Sequence, residues 1–254
     1  MGETTGISWT DHSFNCWWGC QRVSPGCENC YAEAFDKRTG GAHWGPGERR
    51  FFGEKHWAEP LKWNAAAEKA GVRRRVFCAS MADVFEDRRD LDAERAKLWP
   101  LILATPALDW LLLTKRPENV PALAPYVVWP RNVWIGTTVE DQKRADERIP
   151  LLRAVPAAVR FLSAEPLLEP LDLYGRLDGI DWVIVGAESG PGARPFKVQW
   201  IQDIAGACRH VALFIKQIGA APADLDIKLR DRKGGDMSEW PEWLRVRQFP
   251  EVKP

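Results

Sequence analysis

Short apolar runs alternate with polar, helix-compatible stretches through the middle of the chain, the pattern of repeated βα units. Strands are expected near Ile7–Thr10, Val76–Ser80, Trp110–Thr114, Val133–Thr137, Val159–Ser163, Trp182–Gly186 and Ala212–Lys216. WLLL and WVIV are apolar on successive residues, as strands buried on both faces require. The intervening spacing predicts helices over about Tyr31–Arg38, Asp90–Ala104, Glu140–Arg153 and Val198–Arg209, with Pro100 kinking the second. The charged run Glu140–Pro150 reads as a solvated helix face. Two stretches break the alternation. Residues 40–71, rich in Gly and aromatics, read as a loop insertion, and His43–Trp57 within it is a candidate lid. From about residue 225 to 254 the chain reads as an irregular tail or hairpin packed on the barrel. The expected fold is α/β: a full or partial TIM-like (β/α) barrel of about six to eight mainly parallel strands, in a single domain over 1–254.

Composition narrows the setting. A chain of 254 residues can bury a large core. Lys plus Arg and Asp plus Glu balance at 35 each, so net charge gives no support to nucleic acid as a partner. No apolar run is long enough for a membrane span, and MGETTGISW lacks the basic and apolar regions of a signal peptide. A cytoplasmic, reducing location is expected, where clustered cysteines more often bind metal than form disulfides.

Four of the six cysteines fall within NCWWGCQRVSPGCENCY, residues 15–31, on a loop after the first expected strand. Cys20, Cys27 and Cys30 are spaced C-x6-C-x2-C, and the turn Ser24-Pro25-Gly26 can fold the longer arm back. Three thiolates on iron would leave one position open. Cys16 extends the set to C-x3-C-x6-C-x2-C, which satisfies tetrahedral zinc, as would three thiolates with a histidine such as His12. The residues alone leave iron–sulfur and zinc both open. Cys78 and Cys208 read as buried inert thiols.

In a parallel α/β barrel the active site lies at the C-terminal strand ends. Those ends carry Ser80 and Asp83, Lys115 with Arg116, Thr137, Ser163 with Glu165, Gly186 with Glu188 and Arg194, and Lys216. Asp83 can hold a ligand amino or hydroxyl group, or cap the following helix. Lys115 and Arg116 can take a carboxylate or phosphate, or pair with Glu165 or Glu188 across the mouth. Glu165 and Glu188 can bind hydroxyls, exchange protons, or form ion pairs. Gly186, Gly190 and Gly192 permit close backbone approach to a ligand or simply turn. Lys216 is a ligand contact or the last rung of a charge network. Arg73-Arg74-Arg75 reads as solvated surface.

NCWWGCQRVSPGCENCYAE, CASMADVF, LLLTKRPE, WIGTTVED, FLSAEPLLEPL, VIVGAESGPGARP and FIKQIG together resemble a phage-associated family of three-cysteine-motif proteins, over nearly the whole chain. That family is similar to a divergent branch of the radical S-adenosylmethionine (SAM) enzymes. The resemblance implies a 4Fe–4S cluster on Cys20, Cys27 and Cys30, whose open iron chelates the amino and carboxylate groups of SAM. It also implies generation of a 5′-deoxyadenosyl radical on an unknown substrate. Lys115, Glu165 and Glu188 are then catalytic candidates. Ser80, Asp83, Thr137, Ser163, Gly186, Glu188, Arg194 and Lys216 are cofactor-binding candidates. A three-cysteine-motif partner protein is also implied. The sequence departs from the usual radical SAM pattern in its first gap of six residues, and in Asn29, which stands where an aromatic precedes the last cysteine. The rival reading is a zinc-stabilised binding module, with four cysteines or three cysteines and a histidine on the metal, acting on nucleic acid without turnover.

Overall fold

The computed structural model describes residues 5–190, 192–219, 222–227 and 229–251. It contains strands β1 (His12–Phe14), β2 (Trp17–Trp18), β3 (Arg50–Phe51), β4 (Arg74–Cys78), β5 (Leu108–Thr114), β6 (Val133–Thr138), β7 (Val159–Ala164), β8 (Trp182–Gly186) and β9 (Ala212–Gln217). The helices are α1 (Tyr31–Arg38), α2 (Glu54–Trp57), α3 (Glu59–Ala70), α4 (Asp92–Leu103), α5 (Val120–Leu123), α6 (Gln142–Arg153) and α7 (Val198–Ala207). The main sheet has the strand order β1-β4-β5-β6-β7-β8-β9. Its pairings β1–β4, β4–β5, β7–β8 and β8–β9 are all parallel. Sequential parallel strands, joined by helices at every crossover but β7–β8, have the topology of a partial (β/α) barrel. Among the described residues no helix is long and apolar enough to cross a membrane.

The chain divides into two compact units, Met1–Val23, Cys30–Gly136 and Val155–Ala158 in the first, Ser24–Asn29, Thr137–Ala154 and Val159–Pro254 in the second. In the first unit β4 and β5 supply the apolar layer, with Val76, Trp110, Leu111 and Leu112 fully buried. In the second, β8 is buried along its whole length. β5 and β8 contain the runs WLLL and WVIV, whose unbroken apolarity marks them as central strands.

Several expectations change. The first strand lies at His12–Phe14, not Ile7–Thr10. Thr10 instead closes a turn onto the Ile7 carbonyl at 3.2 Å, and the Asp11 carboxylate accepts the Arg75 N–H at 2.8 Å, so pairing with β4 begins one residue later. Residues 40–71 are not all loop: α2 and α3 occupy the second half. EPLKWNAAAEKA has Pro in its first turn and strong helix formers after it, and Gly71 ends it in the left-handed conformation at φ 64°. Helix α6 starts at Gln142, with the Asp141 carboxylate capping the Arg144 N–H at 2.8 Å. Glu140, before that helix, is completely buried and pairs with buried Arg148 at 2.8 Å, so part of the charged run faces the interior. The Arg73–Arg75 run is likewise tied down, Arg73 holding the buried Asp109 carboxylate while Arg74 and Arg75 pair with Asp11.

The C-terminal segment runs through two short 3-10 turns, Met237–Glu239 and Glu242–Leu244. It then pairs with β9 through an antiparallel bridge between Arg247 and Phe214.

Candidate functional site

The cysteine loop is fastened at both ends of its first arm. Asn15, fully buried, spans the end of β4: its amide donates to Ser80 Oγ at 3.0 Å and its carbonyl accepts the Met81 N–H at 2.7 Å. The Gly19 N–H donates to the Met81 carbonyl at 3.0 Å. Gly19 sits at φ 112°, and a Cβ there would lie 2.1 Å from the His43 carbonyl oxygen, so only glycine fits. The second arm enters α1 at Cys30, whose neighbour Tyr31 donates its hydroxyl to the Ser80 carbonyl at 2.8 Å. Cys30 packs against a cluster of Trp18, Ala32 and Met81, beside Trp44 and Phe52.

The Gly-rich loop is held by one buried guanidinium. Arg49 donates to the carbonyls of His43 (2.7 Å), Gly45 (3.2 Å) and Gly47 (2.9 Å). It pairs with buried Glu86 at 2.6 Å. The Gly45 N–H in turn donates to the Cys20 carbonyl at 2.9 Å. The candidate lid is thereby anchored beside Cys20.

Asp83 carries a further anchor. Its carboxylate accepts from the Phe85 N–H (3.0 Å), Thr114 Oγ1 (2.8 Å), the Lys115 N–H (3.1 Å) and Arg116 Nη1 (2.9 Å). It caps no α-helix; the residue before α4 is Leu91. Arg116 also donates from Nη2 to the Gln21 carbonyl at 2.7 Å, and its Nη1 lies 3.8 Å from Cys20 Sγ. Desolvation pushes the Cys20 thiol up to about 12, with Asp83 and Glu86 adding to the rise and Arg116 opposing it. The Lys115 backbone is fixed by Asp83, while no ion pair to the Lys115 ammonium is present among the described residues.

In the second unit Ser24-Pro25-Gly26 does turn: Pro25–Cys27 is a 3-10 turn with the Cys27 N–H on the Ser24 carbonyl at 2.9 Å. Cys27 Sγ lies 3.9 Å from Ser24 Oγ. Glu140 meets this turn, accepting the Gly26 N–H at 3.3 Å, and a Cβ on Gly26 would press on that carboxylate at 3.1 Å. Glu188 holds the same segment through Asn29, which donates to its carboxylate at 2.8 Å and to the Gly192 carbonyl at 3.0 Å. Arg194 pairs with Glu188 at 2.5 Å and donates to the Pro25 carbonyl at 3.0 Å. Burial raises the Glu188 pKa, but the hydrogen bonds from Arg194 and Asn29 outweigh it and hold the carboxyl below its ordinary value. Glu165 pairs with Lys216 at 2.8 Å, and Ser163 Oγ lies 3.3 Å from its other oxygen. A Cβ on Gly186 would stand 2.9 Å from the Glu165 carboxylate, so this glycine makes room for a side chain. Thr137 is buried within β6.

The strand-end charges are therefore partnered as Asp83–Arg116, Glu165–Lys216 and Glu188–Arg194. Within the first unit Arg116 is taken up by Asp83, and within the second Glu165 and Glu188 each hold a cation of their own, Lys216 and Arg194. Asn15, Arg49 and Glu140 lie in stretches that the sequence already points to, but nothing in the sequence gives them or Glu86 the anchoring roles they take. Asn29 stands out there only as a departure from a pattern.

The cysteines themselves are all free. Cys20, Cys27 and Cys30 are partly exposed, whereas Cys16 is fully buried with its sulfur 4.0 Å from that of buried Cys78. Among the described residues no three His, Cys, Asp or Glu side chains stand together as metal ligands. In kind the donors suit an iron–sulfur cluster, which is held by cysteine thiolates: three unpaired thiols on one short loop, with a guanidinium directed at one of them. His12 is stacked on Trp63 at 4.6 Å between ring centroids.

Comparison with known proteins places the chain in a family. Residues 4–245 match the family described as protein of unknown function (DUF5131), and the chain belongs to it. No curated protein matches. Among solved structures, a cysteine-to-serine mutant of spore photoproduct lyase is similar at a TM-score of 0.50 and 15% identity, over 83% of this chain and 66% of that one. A second spore photoproduct lyase mutant, with bound AdoMet and dinucleoside spore photoproduct, gives a TM-score of 0.47 and 14% identity over 95% of this chain and 63% of that one. The chain thus spans 66% and 63% of the lengths of these lyases.

Proposed function

We propose that this DUF5131 protein is an iron–sulfur enzyme of the radical SAM type, with Cys20, Cys27 and Cys30 as ligands of a 4Fe–4S cluster. The observation that carries the reading is the placement of three free thiols, C-x6-C-x2-C, on the loop after the first strand of a partial (β/α) barrel. When bound, the cluster supplies the electron that cleaves SAM. The protein's own part is to bind, orient and exclude water. Asn15 and Gly19 fix the first arm of the loop to the end of β4. Glu140, Asn29 and Arg194 fix residues 24–29. The buried Cys16 sulfur, already against Cys78, is not assigned as a ligand.

For SAM, Lys115 is assigned to an anionic group of the ligand, and the carbonyls and hydroxyls around Ser80, Thr137 and Ser163 to its polar edge. Asp83, Glu188 and Arg194 act chiefly by positioning, because their polar atoms already have partners. Glu165, paired with Lys216, is the candidate for proton exchange. A three-cysteine-motif partner protein belongs to the same proposal and is tested by co-purification.

The decisive experiment is anaerobic reconstitution with ferrous iron and sulfide, followed by incubation with SAM and a strong reductant. Bound iron with acid-labile sulfide and release of 5′-deoxyadenosine are expected. A protein that takes up one zinc, stays colourless and leaves SAM intact overturns the reading in favour of a zinc module.

A further inference from the structure

Arg116 does something that no strand-end role explains. Its guanidinium is almost wholly buried, yet one of its nitrogens is 3.8 Å from the sulfur of Cys20. Three contacts aim it there: the Asp83 carboxylate at 2.9 Å, the Gln21 carbonyl at 2.7 Å, and its own backbone N–H on Thr114 Oγ1 at 2.9 Å. Asp83 is itself fixed by Thr114 and by the backbone of Phe85 and Lys115. The cation is thus set in a rigid frame and cannot retreat to solvent.

Resting on the iron–sulfur reading above, we propose that Arg116 is a positioning residue that sets the reduction potential of the cluster through the Cys20 sulfur. The physical reason is the charge taken up on reduction. A low-potential one-electron donor adds one electron to the cluster, and no bond need form or break. That electron spreads onto the ligand sulfurs, and a buried cation donating an N–H to one of them stabilises the reduced state. Hydrogen bonds to the sulfurs, net charge and burial are the protein's levers on such potentials. Asp83 offsets part of the charge, but the N–H that Arg116 directs at the sulfur has no counterpart on a carboxylate.

The test is a redox titration of the reconstituted protein with dithionite, followed by electron paramagnetic resonance of the reduced cluster. Three variants are compared with the wild type. Arg116→Gln removes the charge. Arg116→Lys keeps the charge but loses the fork. Arg116→Gln combined with Asp83→Asn avoids leaving a buried carboxylate alone. At a fixed potential, Arg116→Gln is expected to shift the reduced-to-oxidised ratio at least tenfold toward oxidised, a fall of about 59 mV for one electron. The double variant falls in the same direction by less, and Arg116→Lys recovers part of the loss. Iron and sulfide content stay at the wild-type level in all that fold. Unchanged midpoints in the cluster-loaded single and double variants overturn the inference while leaving the iron–sulfur reading intact. A wild type that binds no iron and sulfide overturns both. A single variant that fails to fold is replaced in the comparison by the double variant, whose charge balance matches the wild type.

Discussion

Replacing Arg49 by Met should cost the first unit several kcal/mol of stability. The side chain is completely buried and its partner Glu86 nearly so. Its removal leaves the Glu86 carboxylate uncompensated and takes a donor from three carbonyls, those of His43, Gly45 and Gly47, of which Gly47 keeps a second one from Arg88 Nη1 at 3.1 Å. Breaking a buried ion pair by deleting one partner costs roughly 3–5 kcal/mol, a large part of the roughly 5–15 kcal/mol by which proteins are stable. At about 2–4 °C per kcal/mol for a chain of this size, thermal unfolding followed by circular dichroism should show a fall of roughly 6–20 °C. Arg49→Met with Glu86→Leu should regain part of that fall, because no charge is then stranded. The recovery should be incomplete, since the three carbonyls each still lack a hydrogen bond worth about 1 kcal/mol. A single variant that melts within about 2 °C of the wild type would refute the claim that this guanidinium pins the Gly-rich loop beside Cys20.

Further outcomes follow from other contacts. Gly19→Ala should destabilise by about 1–3 kcal/mol in urea unfolding, because its positive φ and the His43 carbonyl at 2.1 Å both reject a Cβ; an unchanged midpoint contradicts this. Alanine at Cys20, Cys27 or Cys30 should abolish iron and sulfide uptake, whereas Cys208→Ala should retain it, as measured by elemental analysis. The Glu188 carboxyl is held below its ordinary pKa, so the stability it contributes is present above the unfolded-state carboxylate range and is lost as pH falls through the lowered folded value. Glu188→Gln should therefore flatten the acid limb of the stability profile; identical acid limbs would contradict the assignment.

Much of the sheet was legible because β5 and β8 are apolar along nearly their whole length, and a strand buried on both faces leaves that mark in sequence. The first strand was not, since HSF has no apolar run. Its place is set by Asp11 accepting from Arg75, a contact between positions 64 residues apart. Helix α3 was hidden inside a stretch whose first half is rich in Gly and aromatics. The cluster of four cysteines is plain in the sequence, but it is the family resemblance, not spacing, that separates Cys20, Cys27 and Cys30 from Cys16. Their supports were not legible. Glu140 stands at a strand end and opens a run read as a solvated helix face, and only the fold brings Arg148 and the Gly26 N–H to it. Arg116 looked like a strand-end ligand residue, and only the fold turns it onto Cys20.

The bridge between Arg247 and Phe214 has a consequence for how β9 meets other molecules. Ile215 donates to the Val246 carbonyl at 2.9 Å and Gln248 to the Leu213 carbonyl at 2.9 Å, so backbone groups of a terminal strand are already engaged. An open strand edge is a template on which foreign chains add themselves. Proteolytic clipping just before Val246 would uncover that template and offer other copies of the chain a place to polymerise.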